Sequence, residues 1–446
     1  MDEYRDTIIN KPISTALWSL ALPMMLESVV LTILNLTDMF WVGRLGKEAL
    51  AAAGIVGMLM ITISSIAFGL SIGVIAIVSR RIGERNGKGA AEGWLNGTII
   101  GLAIGILVTL IMIVLQNPIL DLFGMSPETL ELGKQYYIWI FAARPLLFIS
   151  SINGGALRGA GRPKLTLIAN IIAVVLNMFL DPVLIFGWLG FPELGIAGAA
   201  IATIFSEFVA ASILTWFSYK TFSEMSEGLI RIKSHLMMNV LKIGLPSSLQ
   251  TFVMFTARTF LMGIVSRFGD AVTAAYTVSI RAQEFITLPV VGMGNAVATL
   301  VGQNLGARKP ERSEQAVYKA LFYNTIIVVS LSILFVAFAK TIVGLFNNDP
   351  TVIDEGRIIL STTFIANILM PLSFIPQRGL SGAGDTITAL MISAGTQWVL
   401  QIPLCFVLAN MFGQYGVWWG INAGSIVMAI ISISVFRTGR WKRHKV

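Results

Sequence analysis

Long apolar segments alternate with short polar ones along the whole chain of 446 residues. A helix needs about 20 consecutive apolar residues to cross a bilayer, and the chain offers such stretches repeatedly, each bounded by charge, glycine or proline. The pattern predicts twelve transmembrane helices, at residues 15–42, 51–79, 92–116, 128–158, 163–188, 195–217, 237–263, 272–305, 315–340, 353–380, 386–412 and 415–436.

Composition agrees with an all-α polytopic membrane protein. The chain is 55% hydrophobic and 13% charged, with a mean hydropathy of +0.78, whereas soluble domains carry about 25% charged residues. The net charge of +8 lies in short loops and the tail, with no basic stripe interleaved with aromatics, so a nucleic-acid partner is excluded. Cys405 is the only cysteine, which excludes a disulfide within the chain.

The second half of the chain repeats the first at a constant spacing. Leu22-Pro23 recurs as Leu245-Pro246, and Gly159-Ala160-Gly161 recurs as Gly382-Ala383-Gly384, in each case 223 residues later, which is half of 446. An even number of spans per repeat gives both repeats the same orientation, so two six-helix lobes should be related by a pseudo-two-fold axis along the membrane normal. The predicted domains are an N-lobe at 1–217, a cytoplasmic linker at 218–236, a C-lobe at 237–436 and a basic cytoplasmic tail at 437–446.

Lysine and arginine predict the orientation. They concentrate in alternate loops, such as the one after the fourth segment with Arg158, Arg162 and Lys164. Because basic loops stay inside, both termini are predicted to be cytoplasmic in a multi-pass protein of the inner or plasma membrane. The polar N-terminal stretch has no signal-peptide features, so we expect the first helix to be retained.

Two carboxylates lie inside apolar segments of the first half. Asp38 and Asp181 are costly there, and such residues usually mark an ion or substrate path. Asn177 is one helical turn from Asp181, and Thr203 should lie at similar depth in the sixth segment. Their oxygens suit Na⁺; alternatively the acids exchange protons, since paired carboxylates resist joint ionisation. A purely structural role at the kink beside Pro182 also stays open.

Other intramembrane polar residues are secondary candidates for binding a proton or cation: Asn35, Tyr136, Glu27 and Glu207. Two prolines are hinge candidates, since each removes one helix hydrogen bond: Pro23 and Pro182. The deep arginines are predicted to form structural ion pairs, as Arg281 can with Glu284 three residues later. These arginines are Arg144, Arg258 and Arg281.

Several chemistries are absent from the sequence. The phosphate-binding motif of nucleotide motors does not occur. The only histidines, His235 and His444, lie outside the apolar segments, so a histidine metal centre or hydrolytic triad is excluded. We therefore expect no enzyme activity and no cofactor.

The chain resembles the multidrug and toxic compound extrusion (MATE) transporters over nearly its whole length. The motifs that carry the resemblance are TDMFWVGRLG at 37–46, LRGAGRPK at 157–164, LNMFLDPVLIFG at 176–187, GIAGAAIAT at 195–203 and VGQNLGARKPERSEQA at 301–316. The resemblance implies that Asp38, Asn177, Asp181 and Thr203 form the N-lobe cation-coupling site of the DinF-like branch, with Tyr136 nearby. In the NorM-like branch the seventh and tenth segments carry acids, where this chain has Met254 and Met370, and this departure favours the DinF-like branch.

The favoured interpretation is a monomeric secondary antiporter that exports small amphipathic organic compounds, mostly cations, in exchange for H⁺ or Na⁺. The alternative is a lipid-linked oligosaccharide flippase of a related superfamily, although such proteins usually have a strongly cationic central cavity. A channel or a membrane sensor is a further class, but duplicated lobes fit alternating access better.

Overall fold

The computed structural model describes residues 2–226, 230–444 and 446. Residues 227–229 of the predicted linker and Lys445 of the predicted tail lie outside the described residues. The described chain is helical and contains no strand. Its first half contains α1 (Asp2–Ile9), α2 (Ile13–Gly43), α3 (Lys47–Gly83), α4 (Gly87–Val114), α5 (Gln116–Asp121), α6 (Pro127–Ala142), α7 (Arg144–Gly159), α8 (Pro163–Phe186) and α9 (Gly195–Met225).

The second half repeats this order of long and short helices. It contains α10 (Ser234–Val265), α11 (Asp270–Gly306), α12 (Pro310–Ala337), α13 (Ala339–Gly344), α14 (Pro350–Thr362), α15 (Phe364–Gly382), α16 (Thr386–Ala394), α17 (Ile402–Phe412) and α18 (Gln414–Arg437). A π-helical segment, Gly395–Gln401, joins α16 to α17.

Membrane-length helices match the predicted segments. Among the described residues, ten helices are long and apolar enough to cross a bilayer, and the count rises to twelve if two bent pairs each form one span. The pairs are α6–α7, bent by 43°, and α14–α15, bent by 45°. This confirms the predicted all-α polytopic fold.

The two bends have different causes. Pro145, in the first turn of α7, lacks the amide hydrogen that would continue α6. The second bend lies at Thr363, whose hydroxyl donates to the Ile359 carbonyl at 2.7 Å and accepts from Gln283 Nε2 at 2.9 Å. Such back-bonding by threonine bends helices, so the sequence shows the first break more readily than the second.

The described chain forms two compact units. Unit 1 comprises Met1–Arg5 and Leu26–Ser248, and unit 2 comprises Asp6–Met25 and Leu249–Val446. The division therefore falls within α2 and within α10. The lobe boundaries at 217 and 237 stay a prediction, but the linker predicted at 218–236 is shorter than expected, because residues 218–225 belong to α9 and 234–236 to α10. The apolar face of α9 continues past the membrane-length window, where Phe222 stacks on Trp94 at 5.3 Å between ring centroids.

Both ends of the chain contribute to the core of unit 2. Ile8 and Ile9 of α1 are buried in the same apolar cluster as Trp441, beyond the last long helix. Trp441 stacks on Phe436 at 4.8 Å, so the predicted basic tail at 437–446 is anchored by an aromatic side chain. These contacts were not predicted, because both ends of the chain are mostly polar in sequence.

Candidate functional site

The four residues predicted to bind the coupling ion meet within unit 1. Asn177 and Asp181 are fully buried on one face of α8, with 3.4 Å between Asn177 Nδ2 and Asp181 Oδ1. The carboxylate of Asp38, near the end of α2, lies close enough to interact with the side chains of Asp181, Asn177 and Thr203. Thr203 is buried on α9. We call Asp38, Asn177, Asp181 and Thr203 the acid cluster.

Close packing of α8 against α9 brings Thr203 to this position. Gly187 ends α8 in the left-handed conformation with φ of 70°, which suits glycine. A Cβ at Gly198 would lie 2.3 Å from the Leu184 carbonyl oxygen, so only glycine permits this approach of α9. One turn later, the Thr203 hydroxyl donates to the Ala199 carbonyl at 3.0 Å and keeps its oxygen lone pairs for another partner.

Three oxygen atoms of the acid cluster lack hydrogen-bond partners among the described residues. They are Asp38 Oδ1, Asn177 Oδ1 and Asp181 Oδ2, and each is buried. Buried polar atoms are nearly always paired. All three atoms are acceptors in the ionised cluster, so a hydrogen-bond donor, such as water or a protonated carboxyl group, or a cation could satisfy them. A hard cation such as Na⁺ prefers oxygen ligands of this kind.

Charges around the acid cluster do not balance. Glu207 lies below Thr203 on α9 and interacts electrostatically with Asp38. Its Oε1 is 3.6 Å from Nη2 of Arg144, which is 1% exposed. Three carboxylates against one guanidinium leave two negative charges when all groups are ionised. Uncompensated buried charge is costly, and a proton or a bound cation at the acid cluster would reduce this cost.

Aromatic side chains pack together near the end of α2, close in sequence to the acid cluster residues Asp38 and Asp181. Trp41, one turn after Asp38, lies 6.0 Å from Phe186 and 5.9 Å from Trp188 between ring centroids. These rings pack the end of α2 against the end of α8 and the turn that follows it. Sequence reasoning did not assign this role, although the aromatic pair Phe40-Trp41 follows Asp38 directly.

The secondary candidates divide between this site and other places. Tyr136 is buried on α6 and interacts electrostatically with Asp38, Asp181 and Glu207, so it belongs to the site. Asn35 is exposed, and its Nδ2 donates to the Leu31 carbonyl of its own helix at 3.0 Å. The structure does not bring Asn35 into the acid cluster.

Glu27 belongs to a separate buried cluster. It accepts hydrogen bonds from Arg158 Nη1 at 2.8 Å, Thr166 Oγ1 at 3.0 Å and Asn170 Nδ2 at 2.8 Å. The placement of Arg158 in a loop was wrong, because this residue lies within α7 and pairs with Glu27. Because Arg158 comes just before the loop in sequence, its charge was counted among the basic loop residues that predict the orientation.

Both prolines predicted as hinges lie inside long helices. Pro182 is buried inside α8 directly after Asp181. Pro23 is inside α2, close to Met25, where the α2 portion of unit 2 ends. The predicted pair of Arg281 and Glu284 is present at 3.8 Å.

In the described part of the chain, no group of three or more histidine, cysteine or acidic residues is arranged to hold a metal ion. An ion at the acid cluster would therefore rely on amide and hydroxyl oxygens as well.

Comparisons with known proteins assign the family. The MatE family profile matches residues 23–183 and 246–407, once in each repeat. The chain is 25% identical to "Probable multidrug resistance protein NorM" of Thermotoga maritima, covering 96% of this chain and 93% of that protein. It is also 25% identical to "FAD transporter" of Shewanella oneidensis, covering 96% and 95%. A crystal structure of a MATE protein in complex with MaL6 superposes with a TM-score of 0.92 at 26% identity, covering 98% of both chains. The chain thus belongs to the MATE family of membrane transporters, which are not enzymes.

Proposed function

We propose that the protein exports small amphipathic organic compounds, mostly cations, in exchange for H⁺ or Na⁺ that binds at the acid cluster. One observation supports this most strongly: three buried oxygen acceptors without partners lie beside an excess of two negative charges. A static structural cluster would be expected to satisfy these atoms internally.

The coupling step follows from this charge imbalance. With the cluster ionised, Asp38 and Asp181 repel each other in a poorly solvated site. A proton on one carboxyl group would donate a hydrogen bond to the other. A sodium ion would instead be held by both carboxylates with the Asn177 and Thr203 oxygens. Either ion removes the repulsion and permits α2 and α8 to approach each other, with Pro23 and Pro182 as points where the helices can bend.

The relatives support transport of small molecules without restricting the substrate to one charge. The Thermotoga protein is named for multidrug resistance, and the Shewanella protein for FAD, which carries two phosphate groups. We also propose the inner or plasma membrane as the location, cytoplasmic termini, a monomer as the working unit and the DinF-like branch as the subfamily.

Transport in proteoliposomes tests the proposal. Purified protein is reconstituted, and the flux of ethidium, an aromatic cation, is followed while pH and Na⁺ gradients are imposed independently. We expect at least one gradient to drive ethidium against its concentration difference, and Asp38→Asn to remove this drive. The matched control is Asp354→Asn, which changes an exposed acid paired with Lys340 in unit 2. Gradient-driven flux by a folded Asp38→Asn protein would contradict the assignment.

A further inference from the structure

Unit 2 contains a cavity of about 220 Å³ that the acid cluster does not share. One face of α10 forms a wall, since Met254, Ala257, Arg258 and Leu261 follow helical spacing. The other walls come from α11, α15, α18 and the π-helical segment. We call this space the unit 2 cavity.

The charge in the unit 2 cavity is opposite to that of the acid cluster. Arg258 lines it, and the ion pair predicted for this arginine is absent, since it has no ion-pair partner among the described residues. The one acidic residue in the lining, Glu284, is already paired with Arg281. No acid occurs in α10 or anywhere from Thr386 to Phe412. An arginine without a carboxylate partner offers a planar set of donors for a bound carboxylate or phosphate.

The π-helical segment adds polar groups to the same cavity. Gln397 and Gln401 of this segment both line the wall. Gln401 donates to the Ile421 carbonyl at 3.2 Å, and a Cβ at Gly424 would lie 2.7 Å from Gln401, so glycine makes room for this side chain. Gln397 Oε1 and Ser279 Oγ are buried without hydrogen-bond partners within the described chain. Short π segments inside helices often occur at functional sites, and α8 has none.

The rest of the lining is apolar and adaptable. Met254, Met370 and Met428 line the cavity together with Phe374. Methionine adjusts its shape to different partners and makes favourable contacts with aromatic rings. A flat apolar body therefore fits beside the arginine and the glutamines.

We propose that the unit 2 cavity binds amphipathic organic anions or zwitterions whose carboxylate pairs with Arg258, with the Gln397 amide and Ser279 hydroxyl as further hydrogen-bond partners and the methionines against the apolar body. This site goes beyond the proposed exchange of cations for ions. It gives the protein a second class of ligand, recognised in a different repeat from the one that holds the acid cluster.

Equilibrium binding with three matched fluorescent probes tests this inference. The probes are dansylglycine, dansylglycinamide and dansylethylenediamine, which share one ring system and differ in carrying a negative, neutral or positive end. Purified protein in phosphatidylcholine nanodiscs is titrated with each probe. We expect dansylglycine to bind most tightly, and Arg258→Gln to weaken it about tenfold or more with little effect on the neutral probe. Arg258→Lys should keep part of the affinity, because the charge remains but the planar fork is lost.

Arg267→Gln is the matched control, because Arg267 lies just beyond α10 over the Phe406 ring and outside the cavity lining. Equal binding of the three probes, or unchanged dansylglycine binding in Arg258→Gln, would overturn the inference. Loss of dansylglycine binding in nanodiscs that contain phosphatidylglycerol would also overturn it, because the cavity would then hold an anionic lipid headgroup.

The outcome is independent of the proposed ion coupling. Asp38→Asn should leave dansylglycine binding unchanged, since the two sites lie in different units. If dansylglycine binds through Arg258 while no ion gradient drives transport, the inference stands and the proposed function fails. If ion-driven transport is found but Arg258→Gln has no effect on dansylglycine binding, the proposed function stands and the inference about the unit 2 cavity fails.

Discussion

The two repeats carry the same helices but different charges at matching positions. Asp38 of α2 corresponds to Leu261 of α10, and Arg144 of α7 corresponds to Asn367 of α15 at the offset of 223 residues. Unit 1 thereby gathers three acids and one arginine around buried oxygen atoms, whereas no acid of unit 2 occupies a matching position on α10 or α16–α17. Duplication gives a common fold, and a few substitutions place the candidate ion chemistry in one repeat.

A second pair of matching positions, on α2 and α10, is charged in one repeat and neutral in the other. Glu27 corresponds to Gln250, which donates to Gln377 Oε1 at 2.7 Å, to Ser393 Oγ at 3.0 Å and to the Ala389 carbonyl at 3.3 Å. Ser393 and Ala389 stand where unit 1 has Asn170 and Thr166, which bond Glu27. Both repeats therefore keep a buried polar cluster here, charged in unit 1 and neutral in unit 2.

The largest expected effect is that of Asp181→Asn. An amide cannot release a proton and is a weaker ligand for Na⁺, so ion-driven ethidium efflux should fall to the level of protein-free vesicles. Flux assays in proteoliposomes measure this, with unchanged thermal unfolding as evidence of folding. Leu404→Asn is the control on α17, and it should keep the flux. Efflux at the wild-type rate by Asp181→Asn would remove the contrast between the repeats.

Glu27→Gln gives unit 1 the residue that unit 2 carries. It removes the carboxylate from the mostly buried guanidinium of Arg158, and breaking a buried pair costs about 3–5 kcal/mol of stability. The double variant Glu27→Gln with Arg158→Ser copies unit 2 more fully and should recover much of the loss. Thermal unfolding in detergent compares the three proteins. If Glu27→Gln unfolded at the same temperature as the wild type, the Glu27–Arg158 pair would contribute little to stability.

Asn177→Ala should have an intermediate effect. It removes one of the three partnerless oxygens while leaving both carboxylates, so affinity for the coupling ion should fall about tenfold. Direct Na⁺ binding at several pH values measures this. If Na⁺ is the ion, binding should weaken on acidification in the wild type, because protons compete for the carboxylates. An absence of Na⁺ binding at every pH would leave the proton as the coupling ion.

Met254→Leu and Met370→Leu should have the smallest effect. Both residues line the unit 2 cavity, and exchange of methionine for leucine conserves volume and polarity. Ion-driven efflux should stay within about twofold of the wild type, since this exchange costs little. Loss of coupling in either variant would show that unit 2 participates directly in ion binding.

The sequence predicted much of the fold because its periodic signals are strong and local. The spans follow from apolar length, the repeats from constant spacing, and the break before α7 from Pro145. The π-helical segment was not predicted, because Gly395–Gln401 carries no proline or other distinctive signal. The packing of Ile8 and Ile9 in the core of unit 2 was also missed, because these two residues lie in a polar stretch.

The acid cluster was predictable because carboxylates in apolar helices are rare and expensive. The structure around the acid cluster was harder to predict from the sequence. The approach of α9 depends on the tertiary contact between Gly198 and Leu184, and the packing of the end of α2 depends on the contact between Trp41 and Phe186. Arg158 was misplaced because its partner Glu27 is distant in sequence. The unit 2 cavity is formed by residues from five segments, and no single motif marks it.

Substrate-driven ion movement tests the central claim most directly. Proteoliposomes with equal ion concentrations on both sides are given an ethidium gradient, and the opposing movement of H⁺ and Na⁺ is recorded in the same vesicles. In the wild type we predict ion movement opposite to ethidium, and in the double variant Asp38→Asn with Asp181→Asn we predict none, whereas Met254→Leu with Met370→Leu should retain it. Ion movement of wild-type size in the folded double aspartate variant would contradict the claim that the acid cluster of unit 1 couples the ion to the substrate.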